Sequence, residues 1–221
     1  MKLLYRLSNL FFPPKCVICG KLLETRETDL CHSCRCDTHE VGKYSFRFPH
    51  LAGWTALWYY EGSVRDSILR FKFGGRRSYA ATYGRMLAMK LVREQVNFDI
   101  LTWVPISRLR KWRRGYDQVE LLAQAIAQEL NCQSLCTLQK IRNNRPQSSL
   151  SDAAQRRANV LGIYRVRQSQ ELLGKRVLLL DDIITTGATA SECARVLRTA
   201  GVKEVFCAAL AVASHQTKNS R

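Results

Sequence analysis

Residues 177–189, VLLLDDIITTGAT, combine residue types that could hold a sugar phosphate. Four apolar residues form a predicted buried strand, and Asp181 and Asp182 follow at its carboxyl end, where they can accept hydrogen bonds from two sugar hydroxyls. A loop of small residues then opens a helix, whose positive amino end favours phosphate. Gly187 lets the backbone approach a ligand closely. The predicted phosphate donors are the backbone N–H groups of Thr186, Gly187 and Ala188 and the hydroxyls of Thr185, Thr186 and Thr189.

The segment after this loop carries independent helix signals. Thr189 and Glu192 form a predicted capping box, and the apolar residues that follow lie on one helical stripe that ends before Gly201. The whole run resembles the phosphoribosyl diphosphate (PRPP) binding motif of type I phosphoribosyltransferases, in which hydrophobic residues precede an acidic pair and a T-T-G-x-T loop. A buried strand with an acidic edge is the alternative, but it leaves the hydroxyl-rich loop unexplained. The motif therefore predicts PRPP or a similar ribose phosphate as the ligand.

Length and composition indicate one main domain with a small additional segment. The 221 residues can bury one full core, and 46% of them are hydrophobic, as in folded globular proteins. The nine cysteines are expected to be reduced, because a chain of this length needs no disulfides. The N-terminal residues predict a short packing helix rather than a signal peptide, and the longest apolar run near the C-terminus is too short to cross a bilayer. We therefore expect a cytoplasmic protein.

Two CxxC pairs near the N-terminus have the spacing of a zinc-binding hairpin. The surrounding residues include too few apolar side chains to fold without a metal. Four thiolates would leave no open coordination position, so the sequence predicts structural zinc rather than catalytic zinc. Unliganded thiols are the alternative interpretation, and His32, Cys36 and His39 are substitute ligands. The predicted ligands are Cys16, Cys19, Cys31 and Cys34.

From residue 51 onward, strand and helix patterns alternate, which predicts an α/β fold with a parallel sheet and helices on both faces. The predicted domains are 1–50, with the metal site, and 51–221. Ligands of such sheets bind at the carboxyl ends of the strands, so residues 105–118, residues 143–151 and the acidic pair should share one rim. Ser63 is the predicted cap of the first helix, and a basic loop is expected after Pro105. The predicted strands are 52–60, 100–104, 138–141, 177–182 and 205–212, and the later helices are 79–92 and 118–130.

Over almost its whole length the chain resembles the ComF/GntX family, proteins of DNA uptake and competence in which a zinc ribbon precedes a phosphoribosyltransferase-like domain. Two departures are Tyr116-Asp117, where Phe-Asn is usual, and the single CxxC…CxxC set, since some relatives have a longer metal-binding region. The role of the Asp117 carboxylate beside a diphosphate is therefore open. The resemblance implies a type I phosphoribosyltransferase-like fold, PRPP with Mg²⁺ as ligand, and a role in natural transformation. It rests on the CxxC pairs, ILRFKFGG (68–75), VPISRLRKWRRGYDQVELLA (104–123), RPQSSLSDAAQRRANVLGIY (145–164) and the PRPP motif.

The same resemblance implies that the segment after Val104 is the diphosphate loop, where arginines offer planar donors to phosphate oxygens. Lys72 is an additional predicted phosphate ligand. An exposed, solubilising role is the alternative for each of these cations. The arginines assigned to the diphosphate are Arg108, Arg113 and Arg114, and the loop that closes over PRPP includes Arg145, Gln147, Arg156 and Arg157.

The net charge of +17, from 35 basic and 18 acidic residues, exceeds what PRPP alone could neutralise. Aromatic residues interleave with the cations, as on surfaces where bases stack on rings and phosphates contact basic side chains. We therefore predict contact with single-stranded DNA, with proteins of the uptake or recombination machinery as further partners. Solvated basic faces or protein docking sites are the alternatives. The predicted nucleic-acid contacts are Arg110, Lys111, Trp112 and Arg113.

Three functions remain open at this point. The first is a phosphoribosyltransferase with an unknown acceptor, and the second is a non-catalytic, PRPP-responsive accessory protein of DNA uptake. The third is a nucleotide-controlled regulator that binds nucleic acid. The sequence shows no helix-turn-helix pattern, which argues against this third function. No nucleophile or general base can be named from the residues. We favour a DNA-uptake protein with a working PRPP site.

Overall fold

The computed structural model describes residues 13–42, 47–142, 160–167 and 169–213, which form an α/β fold around a parallel sheet. The strands are β1 (Gly53–Tyr59), β2 (Ile100–Trp103), β3 (Leu138–Lys140), β4 (Tyr164–Val166), β5 (Arg176–Ile184) and β6 (Glu204–Val212). The helices are α1 (His32–Asp37), α2 (Gly62–Phe73), α3 (Tyr79–Arg93), α4 (Arg108–Arg114), α5 (Gln118–Glu129) and α6 (Ala188–Thr199), with a 3₁₀ turn at Ser169–Leu172. None of the helices in these ranges combines the length and the apolar surface that crossing a bilayer requires.

Four strands form the main sheet in the order β1-β6-β5-β2, and every neighbouring pair is parallel. Side chains of β5 alternate between the two faces of the sheet. Leu178 and Leu180 join a hydrophobic cluster with residues of α2, α3 and α5, whereas Val177 and Leu179 join a second cluster with residues of α6. Helices therefore cover both faces, which confirms the predicted fold class and explains the uninterrupted apolar run of this strand.

Strands β3 and β4 form a separate antiparallel ribbon, in which Lys140 pairs with Tyr164. The strand predicted at 138–141 exists, but it lies outside the parallel sheet. Only its first residue, Leu138, is buried, so the strand offers the core a single apolar side chain. The segment just before β3 contacts the edge strand β2, because the backbone N–H of Leu135 donates to the carbonyl of Leu101 at 2.8 Å. This contact holds the ribbon at the edge of the sheet.

The prediction of a basic loop after Pro105 is wrong, because residues Arg108–Arg114 form helix α4. Ser107 caps the helix: its side chain accepts a hydrogen bond from the backbone N–H of Arg110 at 3.4 Å. Gly115 ends it in the left-handed conformation, with φ of 74°. Both signals are present in the sequence, but the run of cations between them hides the helix, since it offers no apolar stripe.

Two predicted helix caps are also wrong. Helix α2 begins at Gly62 after Glu61, which makes no side-chain cap, so Ser63 lies inside the helix. Helix α6 begins at Ala188, and the predicted capping box with Glu192 does not form. The Glu192 carboxylate is buried, accepts the backbone N–H of Gly162 at 2.8 Å and pairs with Arg195 of the same helix at 2.8 Å.

Residues 13–42, which we call the cysteine segment, pack on the face of the sheet covered by α2 and α3. Val17 and Ile18 are buried in the same hydrophobic cluster as Phe71 of α2. Near its other end, the carbonyl of Val41 accepts a hydrogen bond from the buried ammonium of Lys90 at 2.7 Å. One core thus spans the predicted domain boundary near residue 50, and that boundary stays a prediction.

Candidate functional site at the carboxyl ends of the strands

A cavity of about 760 Å³ opens where β1, β2 and β5 end. It brings the segment after Pro105 to the acidic pair and the phosphate loop, two of the three segments predicted at this rim. The third segment, residues 143–151, lies outside the described residues, as do Arg145, Gln147, Arg156 and Arg157. The predicted ligand residues that line the cavity are Lys72, Arg113, Arg114, Asp181, Asp182, Thr185 and Thr189.

Asp182 is held by two side chains from different helices. One carboxylate oxygen accepts a hydrogen bond from the Lys72 ammonium at 2.8 Å, and the other accepts the Gln118 amide N–H at 2.6 Å. The Asp182 side chain is 10% exposed, so this pairing satisfies a charge that would otherwise be costly to bury. Sequence reasoning indicated Lys72 as a phosphate ligand, but no pattern linked Lys72 or Gln118 to the acidic pair.

Asp181 lines the cavity and has a perturbed pKa. One of its oxygens accepts the backbone N–H of Asp182 at 2.8 Å. Desolvation by the surrounding protein, followed by the negative charge of Asp182, raises the pKa of Asp181 to about 8. With its pKa raised in this way, the Asp181 carboxyl takes up a proton more readily than a free aspartate does.

The phosphate loop depends on a glycine for two reasons. Gly187 has φ of 71°, and a Cβ at this position would overlap the ring of Phe48. The sequence suggests that Gly187 leaves room for a ligand. In the structure the Phe48 ring already packs against this glycine. Helix α6 starts directly after this residue and directs the positive end of its dipole toward the loop. The predicted loop residues outside the cavity lining are Thr186, Gly187 and Ala188.

The Gln118 amide connects the acidic pair to the basic helix α4. Its oxygen accepts a hydrogen bond from Arg114 at 2.7 Å, while its nitrogen donates to Asp182. The Arg114 guanidinium also lies 4.5 Å over the ring of Phe73, the last residue of α2. Arg114 is thus held in the cavity by contacts on two sides. Arg108, assigned to the diphosphate by the sequence, is exposed and does not line the cavity.

The Asp117 carboxylate does not face the cavity, which answers the question raised by this departure from the family. It is 4% exposed and caps α5 by accepting the backbone N–H groups of Val119 and Glu120. It also accepts the backbone N–H of Ile106 at 3.2 Å, so it joins the two ends of the basic segment. Burial raises the pKa of Asp117, but the carboxylate is turned toward backbone donors rather than toward a ligand.

Lys140 and Tyr164, paired across the β3–β4 ribbon, also line the cavity and were missed by sequence reasoning. The Lys140 ammonium lies 5.6 Å over the Tyr164 ring. Burial, followed by the charge of Arg110, lowers the pKa of Lys140 to about 8. The sequence around Lys140 contains no recognisable motif. Only the pairing of β3 with β4 shows that Lys140 lies in the cavity near Arg110.

The four predicted nucleic-acid contacts occupy different environments. Arg110 and Arg113 line the cavity, whereas Trp112 is 81% exposed outside the lining. Lys111 is engaged by Glu120 of α5, with the ammonium 2.5 Å from the carboxylate. Helix α4 therefore presents cations to the cavity and an aromatic ring to solvent.

The cysteine segment brings together all four predicted metal ligands. The sulfur atoms of Cys16, Cys19, Cys31 and Cys34 lie within 4.8 Å of one another, and this group could hold a metal ion. Four thiolates at this separation suit a tetrahedral ion. Among the described residues, His32, Cys36 and His39 are not part of the group.

Comparisons with known proteins show which proteins this chain is similar to. Residues 120–221 match the phosphoribosyl transferase domain family. Competence protein F of Haemophilus influenzae is 28% identical over 219 residues, which cover 88% of this chain and 95% of that protein. DNA utilization protein YhgH of Escherichia coli K12 is 27% identical, covering 87% of this chain and 88% of that protein. Competence protein ComFC of Streptococcus pneumoniae is 29% identical, covering 85% and 77%.

We expect Asp117→Ala to lower the free energy of unfolding by about 1–2 kcal/mol, because it removes the cap of α5 and leaves the Ile106 N–H without its acceptor. Asp117→Asn keeps a capping oxygen and should lose less than half of that. Urea unfolding measures both, with Asp66→Ala, at a side chain that is 59% exposed on α2, as the matched control. Equal losses for the Ala and Asn variants would contradict the capping role.

Proposed function

Because the chain belongs to the ComF family, we propose that it binds PRPP and acts in DNA uptake. The observation that carries the proposal is the cavity in which an acidic pair, a hydroxyl-rich loop at a helix amino end and arginines of α4 meet. The names of the relatives, competence and DNA utilization, supply the process. A cytoplasmic location belongs to the proposal, because a cluster of thiolates requires a reducing compartment.

In the proposed complex each part of PRPP meets complementary groups. The 5′-phosphate lies at the loop before α6, where Thr185 and Thr189 line the cavity. The ribose hydroxyls contact Asp181 and Asp182, and Mg²⁺ accompanies the diphosphate and offsets its charge. The diphosphate lies against the cations of α2 and α4 that line the cavity, which are Lys72, Arg110, Arg113 and Arg114. Arg108, which the sequence also assigns to the diphosphate, is exposed outside this lining.

PRPP binding, rather than transfer, is the activity that we propose. Competence and DNA utilization name processes and not reactions, so they specify no acceptor for a ribosyl group. A transferase would release diphosphate from PRPP when its acceptor is added. Release that depends on single-stranded DNA would extend the proposal to a phosphoribosyltransferase, whereas binding without release would establish the accessory role.

The variant with both Asp181→Asn and Asp182→Asn should lose PRPP binding, because it removes two carboxyl groups that accept hydrogen bonds from the ribose hydroxyls. The loss should be about 3 kcal/mol or more, which corresponds to more than a hundredfold in Kd. Isothermal titration calorimetry with PRPP and Mg²⁺ measures it, and Asp66→Asn serves as a charge-matched control. Asp181→Asn alone should also weaken binding while leaving the Lys72–Asp182 ion pair in place. Unchanged titrations for the folded double variant would remove the central claim.

We further propose that single-stranded DNA contacts α4. Trp112 is 81% exposed and lies between two cations, Lys111 and Arg113, an arrangement suited to stacking a base while phosphates contact basic side chains. The net charge of +17 leaves cations in excess of those that face the cavity. Since Arg113 also lines the cavity, the DNA would lie next to bound PRPP.

Affinity for a fluorescent oligonucleotide should fall steeply with salt, because phosphate contacts release counterions. Arg110→Ala with Arg113→Ala should weaken binding and reduce the slope of log K against log salt by about 1.4, as two phosphate contacts on a single strand are lost. Trp112→Ala should weaken binding and keep the slope. Fluorescence anisotropy at two salt concentrations measures these effects, and Lys203→Ala, exposed at the other end of the sheet, is the control. Salt-insensitive or absent binding at micromolar protein would make α4 a protein docking surface instead.

We assign the four thiolates to structural zinc. Elemental analysis should find about one equivalent per chain, because one tetrahedral ion uses all four ligands. Cys16→Ser with Cys31→Ser should remove the metal and lower the melting temperature, whereas Cys36→Ser, on the same short helix as Cys34 but outside the group, should leave both unchanged. Unaltered metal content in the double variant would refute the assignment.

A further inference from the structure

Helix α2 contacts the cysteine segment through two side chains on one of its faces. The Ser67 hydroxyl donates to the carbonyl of Val17 and lies 2.6 Å from the Tyr83 hydroxyl. The Arg70 guanidinium donates to the carbonyl of Ile18. Val17 and Ile18 are the two residues inside the first CxxC pair, so both contacts hold the turn that bears two of the metal-binding thiols.

The last turn of the same helix belongs to the cavity. Lys72 pairs with the buried Asp182 at 2.8 Å, and the carbonyl of Phe71 accepts a hydrogen bond from the Tyr116 hydroxyl. Tyr116 and Lys72 both line the cavity, whereas none of the described residues of the cysteine segment does. A single helix of 12 residues thus connects two sites that share no residue.

The contacts of Ser67 and Arg70 with the cysteine segment fix the position of α2 at these two residues. Val17 and Ile18 are 1% and 0% exposed, so their carbonyls depend on Ser67 and Arg70 for hydrogen bonds. A planar guanidinium holds its acceptor with little freedom, whereas the ammonium of a lysine sits on a flexible stem. Arg70 and Lys72 are about 3 Å apart along the helix axis, so a shift of Arg70 moves the base of the Lys72 side chain by a similar amount.

We propose that Arg70 is a positioning residue through which the folded cysteine segment holds Lys72 at the acidic pair and thereby sets the affinity for PRPP. The inference rests on the proposed function and adds to it a role for the metal-binding segment at a site that this segment does not touch. Arg70 donates to Ile18 on one side of the helix turn and Lys72 neutralises Asp182 on the other. Loss of the cysteine segment would weaken PRPP binding through α2.

A double-mutant cycle tests whether Arg70 acts through Lys72. PRPP affinity is titrated for the full chain, Arg70→Gln, Lys72→Ala and the combined variant. Arg70→Gln should weaken binding about five- to tenfold, and the combined variant should bind no more weakly than Lys72→Ala alone, since Lys72 carries the effect. Arg70→Lys keeps a donor for the Ile18 carbonyl but on a flexible stem, so it should recover only part of the affinity. Arg65→Gln, on the same helix with a side chain 54% exposed, is the matched control and should bind PRPP as the wild type does.

Two results would overturn the positioning role. Wild-type affinity in Arg70→Gln is the first, and losses that multiply in the combined variant are the second, because Arg70 would then act independently of Lys72. If the wild-type chain binds no PRPP, the proposed function fails by itself, and the inference is decided on the ligand-free protein. Hydrogen exchange at the amides of Phe71, Lys72 and Phe73 should then be faster in Arg70→Gln than in Arg65→Gln. Equal exchange rates would reject it.

Discussion

The buried charge of Asp182 is the constraint on which the cavity depends. A carboxylate at the end of a strand buried on both faces is stable only with a counter-charge and with donors for both oxygens. Lys72 and Gln118 meet this requirement, from the last turn of α2 and the first residue of α5. These two helices must therefore end and begin at the cavity.

Each of the two helix ends is fixed in turn by a contact with another segment. Asp117 caps α5 and also holds the Ile106 N–H, so the segment that contains α4 leaves and returns at one carboxylate. The end of α2 is fixed by Arg70, whose partner belongs to the cysteine segment. The cysteine segment is thus connected to Asp182 through Arg70 and Lys72 of α2, and Arg114 of α4 is connected to it through Gln118. The CxxC pairs and the acidic pair are far apart in the sequence, but these contacts make them parts of one connected structure.

Much of the fold could be predicted from the sequence because its signals are local. The apolar run before Asp181 predicts a strand that is buried on both faces, and the spacing of the four cysteines predicts that their thiols lie close together. The remaining features depend on contacts between distant segments. The Glu192 carboxylate has the spacing of a capping box but is taken by Gly162, and nothing in the sequence near Lys72 indicates that it pairs with Asp182. Helix α4 was missed for another reason, since an apolar stripe is the usual signal of a helix and this one is exposed and basic.

The pairing of Lys72 with Asp182 also shapes how a diphosphate would enter the cavity. Lys72 neutralises Asp182, and burial next to Asp182 raises the pKa of the Asp181 carboxyl. Two adjacent carboxylates repel each other, and both the Lys72 counter-charge and the raised pKa of Asp181 reduce that repulsion. In the proposed complex a diphosphate arrives with Mg²⁺, so Lys72 can turn from Asp182 to a phosphate oxygen without leaving the carboxylate unpaired. A lysine suits this exchange better than an arginine, because its ammonium is a compact charge on a flexible stem that need not match a fixed planar partner.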